Sequence, residues 1–227
     1  MQEFLVGWAF AVTPYLWLPN VDGTLKYSAP PGVSGAPIVR VGPHDYLENL
    51  DLALMLAGEA RHGRWSIVAD MVYLDFAAEN SRVNGNVNTK SSLTGLQWTL
   101  AGGYSALRTS SLQLDVIGGV RYLGIEATTD LAAVSGSVSE RTELWDAIIG
   151  VRGRVRLGES PWFMPYHLDV GAGSSRLTWQ GMLGIAYAFK WGDAVLTYRH
   201  LSYDQGGNRL YQDFRFSGPA LGAAFRF

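Results

Sequence analysis

The chain of 227 residues contains no cysteine, which excludes a disulfide framework and thiolate chemistry. No stretch approaches the roughly 18 uncharged apolar residues that a spanning helix needs, so any crossing of a bilayer has to be made with strands. A surplus of positive charge is also missing. Lys and Arg total 18 against 20 Asp and Glu, a formal net charge of -2, and a protein that lives on phosphate contacts usually shows a basic stripe, so nucleic acid is not an expected partner. The N-terminal Met1-Gln2-Glu3-Phe4 lacks a basic region followed by an apolar core. The expectation is a mature, exported chain without its signal peptide and with a start Met added.

What the chain has in quantity is glycine (27), aromatic residues (8 Trp, 11 Tyr, 9 Phe) and strict alternation. Its length suits a single domain over 1–227, long for a soluble lipocalin-like barrel and short for a porin. In 177–189 one face reads Leu, Trp, Gly, Leu, Ile, Tyr, Phe and the other Thr, Gln, Met, Gly, Ala, Ala. Leu112, Leu114, Val116, Gly118, Val120 and Tyr122 likewise share a face opposite Gln113, Asp115, Ile117, Gly119 and Arg121. A period of two over such lengths predicts strands. The last of them, Leu221-Gly222-Ala223-Ala224-Phe225-Arg226-Phe227, ends on Phe, as strands of bacterial outer-membrane barrels typically do.

Connection lengths sort into two sets. Short links near 61–64, 107–111, 157–161 and 190–193 alternate with mostly longer ones at 28–46, 78–92, 128–140, 173–175 and 205–211. Short periplasmic turns facing longer extracellular loops are the outer-membrane pattern. The spacing predicts an all-β, antiparallel, up-and-down transmembrane β-barrel of ten strands: 4–17, 48–61, 64–77, 93–107, 111–127, 141–157, 161–173, 175–190, 193–204 and 212–227. The alternating run 21–28 is taken as an extracellular extension of the first strand. Twelve strands is the alternative.

Three features turn the apolar face outward to lipid. Aromatics collect toward strand ends as interfacial girdles would: Trp8, Trp65, Trp98, Tyr104, Tyr122, Trp145, Trp162, Trp179, Tyr187 and Phe227. The opposite face is rich in Gly and Ala, as a narrow lumen requires, and the C-terminal strand ends on Phe. The expected location is the bacterial outer membrane. Expected partners are its lipids and lipopolysaccharide, the barrel-assembly machinery through the C-terminal strand, and a small solute.

The runs Thr13-Pro14-Tyr15-Leu16-Trp17-Leu18-Pro19, Gly118-Gly119-Val120-Arg121-Tyr122, Thr178-Trp179-Gln180, Tyr198-Arg199-His200-Leu201 and Gly218-Pro219-Ala220-Leu221-Gly222 resemble those of uncharacterised proteobacterial outer-membrane barrel proteins. The resemblance covers most of the chain. It implies fold and location and carries no activity.

With lipid outside, Asp51, Glu59, Asp70, Asp115, Asp146 and Asp169 project inward together with Arg121, Arg152, Arg154, Arg176 and Arg199, and Arg215 is a further candidate. Charges walled off from water need partners. The set reads either as an ion-pair network that fills the barrel or as a conduit selecting a small solute. His167 and Asp169 share a face mid-membrane. That spacing suits acid/base chemistry or one edge of a metal site, and also a simple lumen hydrogen bond, the expected reading.

His200 and Ser202 lie near the extracellular end of their strand, with Asp213 opening the next one. A Ser, a His and an acid could serve acyl transfer, and His-x-Ser is similar to the motif of outer-membrane lipid A deacylases. Tyr203 stands where that family has Asn, and Asp213 departs from its acid. Gly171-Ala172-Gly173-Ser174-Ser175 reads as a tight hairpin rather than a phosphate cradle, and Asp204-Gln205-Gly206-Gly207-Asn208 as a turn rather than a calcium loop. The loop acids Asp45, Glu48, Glu79 and Asp130 suit cation bridges to lipopolysaccharide. The leading expectation is a structural or small-solute transport barrel without cofactor or catalysis. The alternatives are an outer-leaflet acyl hydrolase and surface recognition through 28–46 and 78–92.

Overall fold

Closure of the sheet on itself organises the molecule. In the computed structural model, which describes residues 7–25, 38–41, 50–83, 87–131, 136–206 and 211–227, the strands are β1 (Trp8–Trp17), β2 (Asn20–Leu25), β3 (Ile38–Val41), β4 (Leu50–His62), β5 (Trp65–Val83), β6 (Val87–Arg108), β7 (Leu112–Leu131), β8 (Gly136–Arg156), β9 (Trp162–Gly173), β10 (Leu177–Ala188), β11 (Gly192–Asp204) and β12 (Tyr211–Arg226). Antiparallel neighbours run from β4 to β12, and β1 pairs with both β4 and β12. Ten strands, β1 and β4 to β12, therefore form a closed barrel with no free edge along its wall.

The alternating segment after the first strand extends β1 and adds no spanning strand. Trp17 pairs with Ala220 and Asn20 with Ser217 in one unbroken register along β12. Pro19 has no N–H to give the ladder, which divides a continuous strand into β1 and β2. Beyond it, Val21 to Thr24 pair with β3, a short strand inside the 28–46 segment expected to be irregular. The rest of that segment, with Asp45 and Glu48, lies outside the described residues.

The 78–92 and 128–140 segments, expected as loops, are largely paired strand. Ala78 pairs with Ser91 and Val83 with Val87, and Thr128 pairs with Ser139 and Leu131 with Gly136. β5 to β8 hold 19, 22, 20 and 21 residues, against about 9–11 for a tilted crossing. Both hairpins thus continue well beyond the membrane. Polar content points to loops, yet the Thr and Val in these stretches are compatible with a paired backbone ladder.

Sequence spacing sets the periplasmic turns. His62 pairs with Trp65, and Gly63 adopts φ 58° between them, a left-handed conformation that glycine takes without steric cost. The outer wall is apolar, with Leu52, Leu54, Ile67, Leu100, Ile149, Leu168, Leu183, Leu196 and Leu221 exposed. Aromatic bands flank it. Trp8 with Phe10, Trp65 with Tyr104, and the chain Trp162, Tyr187, Phe189, Trp191, Phe225 make the periplasmic band. Trp98, Tyr122 and Trp145 pack together in the extracellular band, which also holds Trp179, and Phe227 is among the most exposed side chains. An apolar belt between two aromatic girdles is the surface that a bilayer requires.

On the inner face, neighbouring strands approach closely enough that glycine is needed at some contacts. A Cβ on Gly119 would run into the Leu100 carbonyl and the Ala101 backbone of the neighbouring strand.

Candidate functional site in the barrel interior

The interior is layered, and each layer follows from which residues share the inward parity at a given height. Toward the extracellular side, Trp17, Met55, Val72, Leu123, Leu144, Leu201, Tyr203 and Ala220 form one buried apolar cluster, flanked by Leu74, Ile125, Phe214 and Phe216. Tyr203 is 0% exposed and Leu144 and Leu201 are each 1% exposed. The barrel is filled here by hydrocarbon and rings, as the core of a small soluble barrel is.

Beneath this plug lies a polar belt. Tyr15 donates to Asp70 at 2.5 Å, and Asp70 pairs with Arg199 at 2.7 Å. The Arg199 guanidinium also donates to Gln180, Gln97 and the Tyr15 hydroxyl, and lies 4.7 Å over the Trp17 ring. It therefore joins the belt to the plug by a cation–π contact. Beside it, Arg121 pairs with Asp169 at 2.7 Å and donates to Thr99 and Thr178. His167 Nε2 lies 2.6 Å from the same Asp169 oxygen. Asp146 accepts the Ser175 N–H at 2.8 Å and so anchors the β9–β10 turn.

Lower still, Glu59 accepts from Arg61 at 2.9 Å and Arg152 at 2.8 Å. Asp115 is paired with Arg61 and accepts from Ser105 and Gln113. From the belt down to the periplasmic mouth runs a cavity of about 530 Å³. Its mouth is lined by Arg108, Arg154, Asp193, Arg226 and Phe227.

Of the side chains assigned inward, Glu59, Asp70, Asp115, Arg121, Asp146, Arg152, Arg154, Asp169 and Arg199 lie in these layers. Arg176 does not. It sits in the β9–β10 turn with 71% of its side chain exposed and pairs with Asp204 at the extracellular rim. β10 begins at Leu177, so Arg176 is a turn residue whose direction strand parity does not set. This contact and the Gly206 N–H hold the Asp204 carboxyl below its ordinary range, and the same pairing raises Arg176. Arg215 stands opposite Ser202 and Asp22 and is exposed. For Asp51 only the backbone is described, at a register shift between β4 and β5. The side chain of Asp51 and those of Glu79 and Asp130 lie outside the described residues.

His200, Ser202 and Asp213 are on the outer face. The His200 ring packs on Trp179, centroids 4.5 Å apart, and its Nδ1 lies 2.6 Å from the Ser217 hydroxyl rather than that of Ser202. Ser202 pairs in register with Arg215, and Asp213 with Asp204, four residues along β12 from Ser217. The three are not brought together. Among the described residues no group of three or more His, Asp or Glu is placed to hold a metal ion.

Sequence reasoning passed over Tyr15, Arg61, Gln97, Thr99, Thr178, Gln180, Asp193 and Arg226. Arg61 follows Ala57 and Glu59 at the same parity and was available from it. Tyr15 and Trp17 point inward, against the expectation that aromatics face lipid. The same assumption hid the plug, since an interior of Gly, Ala and charge was expected throughout.

The chain matches no protein-family model and no curated protein. Among solved structures it is similar to the outer membrane protease OmpT from Escherichia coli, with a TM-score of 0.54 at 10% identity, covering 100% of this chain and 99% of that one. It also aligns with Ail, the attachment invasion locus protein of Yersinia pestis, at TM-score 0.40 and 11% identity over 98% of this chain and 100% of that one. A third alignment is with OprG from Pseudomonas aeruginosa, at TM-score 0.38 and 14% identity over 98% and 96%. At such identities the likeness to OmpT is one of fold alone. With the lipid belt and paired girdles it makes this protein an integral β-barrel of the bacterial outer membrane, in contact with outer-membrane lipid.

Proposed function

We propose that the protein is a closed structural barrel that carries its long hairpins on the cell surface and passes no solute through its lumen. The observation that supports this is the apolar plug. A conducting lumen needs a continuous polar path, and Trp17, Leu144, Leu201 and Tyr203 fill the extracellular half with buried apolar groups. The Asp and Arg pairs below then act to satisfy one another rather than to select ions. Insertion by the barrel-assembly machinery through β12 belongs to the same reading.

The test is single-channel conductance in planar bilayers. Folded parent protein is expected to be silent, and Leu144→Gly combined with Leu201→Gly is expected to admit ions. Stable conductance steps from the parent would sink the closed-barrel reading.

The hairpins β5–β6 and β7–β8 favour a surface role, because about half of their length is not needed to cross the membrane. Replacing 79–90 with a two-residue turn is expected to leave the barrel folded, as judged by its heat-modifiable gel mobility. Loss of adhesion to host or abiotic surfaces in the shortened form would identify this hairpin as the contact.

A further inference from the structure

We propose that the periplasm-facing vestibule is a binding site for a small amphipathic anion, a carboxylate or phosphate head on an apolar body. The vestibule lies on the periplasmic side of the plug, and the inference goes beyond the closed-barrel reading without depending on it.

Charge pairing within the cavity carries the argument. Six arginines and four side-chain carboxylates line it. All four carboxylates are taken: Glu59 by Arg61 and Arg152, Asp115 by Arg61, Asp70 by Arg199, and Asp193 by Arg226. The two arginines of the cavity in no ion-pair contact among the described residues are Arg108 and Arg154, both at the mouth, where Asp193 attracts Arg154 while Arg226, Arg156 and Arg108 repel it. Their placement is not scattered. Gln113 of β7 pairs with Arg108 on one side and Arg154 on the other, so the two cations occupy one row of the inner wall, two strand spacings or roughly 10 Å apart. Both guanidiniums can converge on one head group from that separation.

The polar partner of the row is already engaged, because the Gln113 amide donates to Asp115 at 3.1 Å. Arg154 instead lies 5.5 Å over the Phe163 ring, a contact that leaves its N–H groups free for an acceptor. Guanidinium forks match carboxylate and phosphate oxygens in a bidentate geometry.

The rest of the wall selects an apolar body. Phe163, Pro165, Met182, Val195 and Val68 line the same space, and about 530 Å³ falls within the range of small-molecule sites. A ligand with its head on Arg108 and Arg154 would extend its body toward the polar belt.

The experiment is isothermal titration calorimetry of the full chain in phosphatidylcholine nanodiscs. Hexanoate and hexyl phosphate are the probes, with hexylammonium as the cation of equal length. One or both anions are expected to bind saturably, the tighter identifying the preferred head, with no saturable heat from hexylammonium. Arg108→Gln with Arg154→Gln is expected to weaken binding at least tenfold, and Arg176→Gln at the opposite rim to leave it unchanged. Heat-modifiable mobility certifies that each variant is folded, and single Arg154→Gln serves if the double variant fails. Equal binding of hexylammonium, unchanged affinity in the folded arginine variants, or no binding by folded parent would overturn the proposal. Conductance reads the plug and calorimetry the vestibule, so failure of one reading is distinguishable from failure of the other.

Discussion

Arg121 and Asp146 stand directly opposite each other across the β7–β8 ladder, yet the Arg121 guanidinium takes Asp169 of β9, at 2.7 Å. Strands in a barrel tilt against its axis, so residues at one height come from staggered registers and a long side chain reaches a diagonal partner. Asp146 is left to hold the β9–β10 turn through Ser175. Both members of the Arg121–Asp169 pair are fully buried.

Removing Arg121 therefore leaves the buried Asp169 carboxylate with His167 as its remaining ionisable neighbour. Arg121→Met is expected to destabilise the barrel by about 3–5 kcal/mol, while Arg121→Met with Asp169→Leu recovers much of the loss because neither charge of the pair remains. Urea unfolding in lipid vesicles, followed by tryptophan fluorescence, gives the comparison. Equal losses in the single and double variants would show that the pair itself is strongly stabilising.

The plug makes a separate prediction. Leu144→Ala and Leu201→Ala each create a cavity among rings and branched chains and are expected to cost about 2–5 kcal/mol. The same substitution at lipid-exposed Leu183 or Leu196 is expected to cost less, since acyl chains close the gap. The same unfolding titration ranks the four.

On the outer wall, Tyr122 is only 7% exposed because Trp98 and Trp145 pack on it with centroids 5.8 and 4.8 Å away, and its ring covers Gly124. A double-mutant cycle between Tyr122→Leu and Trp145→Leu is expected to return a coupling of about 0.5–1.5 kcal/mol. A coupling near zero would reduce the cluster to independent interfacial anchors.

At the extracellular rim, Asp204 accepts from Arg176 and from the Gly206 N–H, and its carboxyl is held below its ordinary range. A folded-state value below the unfolded one gives stabilisation that is present above the unfolded value and lost as pH falls through the folded one. Hydrogen exchange at the Gly206 amide, corrected for its intrinsic pH dependence, is expected to show more opening as pH drops below the carboxylate range. Asp204→Asn is expected to flatten that profile.

The ten strands, their antiparallel order and the lipid-facing belt were readable in the sequence because alternation is a local property. Each side chain's face follows from its neighbour's, whatever the rest of the chain does. The continuity of 21–25 with the first strand was readable for the same reason, since β1 and β2 keep one parity along β12. Less legible were 78–92 and 128–140, whose polar composition lacks the apolar contrast that marks a strand.

Alternation thus determined which residues share a face, the aromatic ends, the Gly and Ala content and the terminal Phe determined which face turns inward, and connection lengths determined which end of the barrel meets the cell surface. Partners and height were decided only by closure. Shear brings Arg121 to Asp169 instead of Asp146, Tyr15 and Arg199 to Asp70 from strands far apart in the chain, and inward Met55, Val72, Leu144 and Leu201 into one plug. The relative heights of ten tilted strands are a property of the closed sheet, and no single strand encodes them.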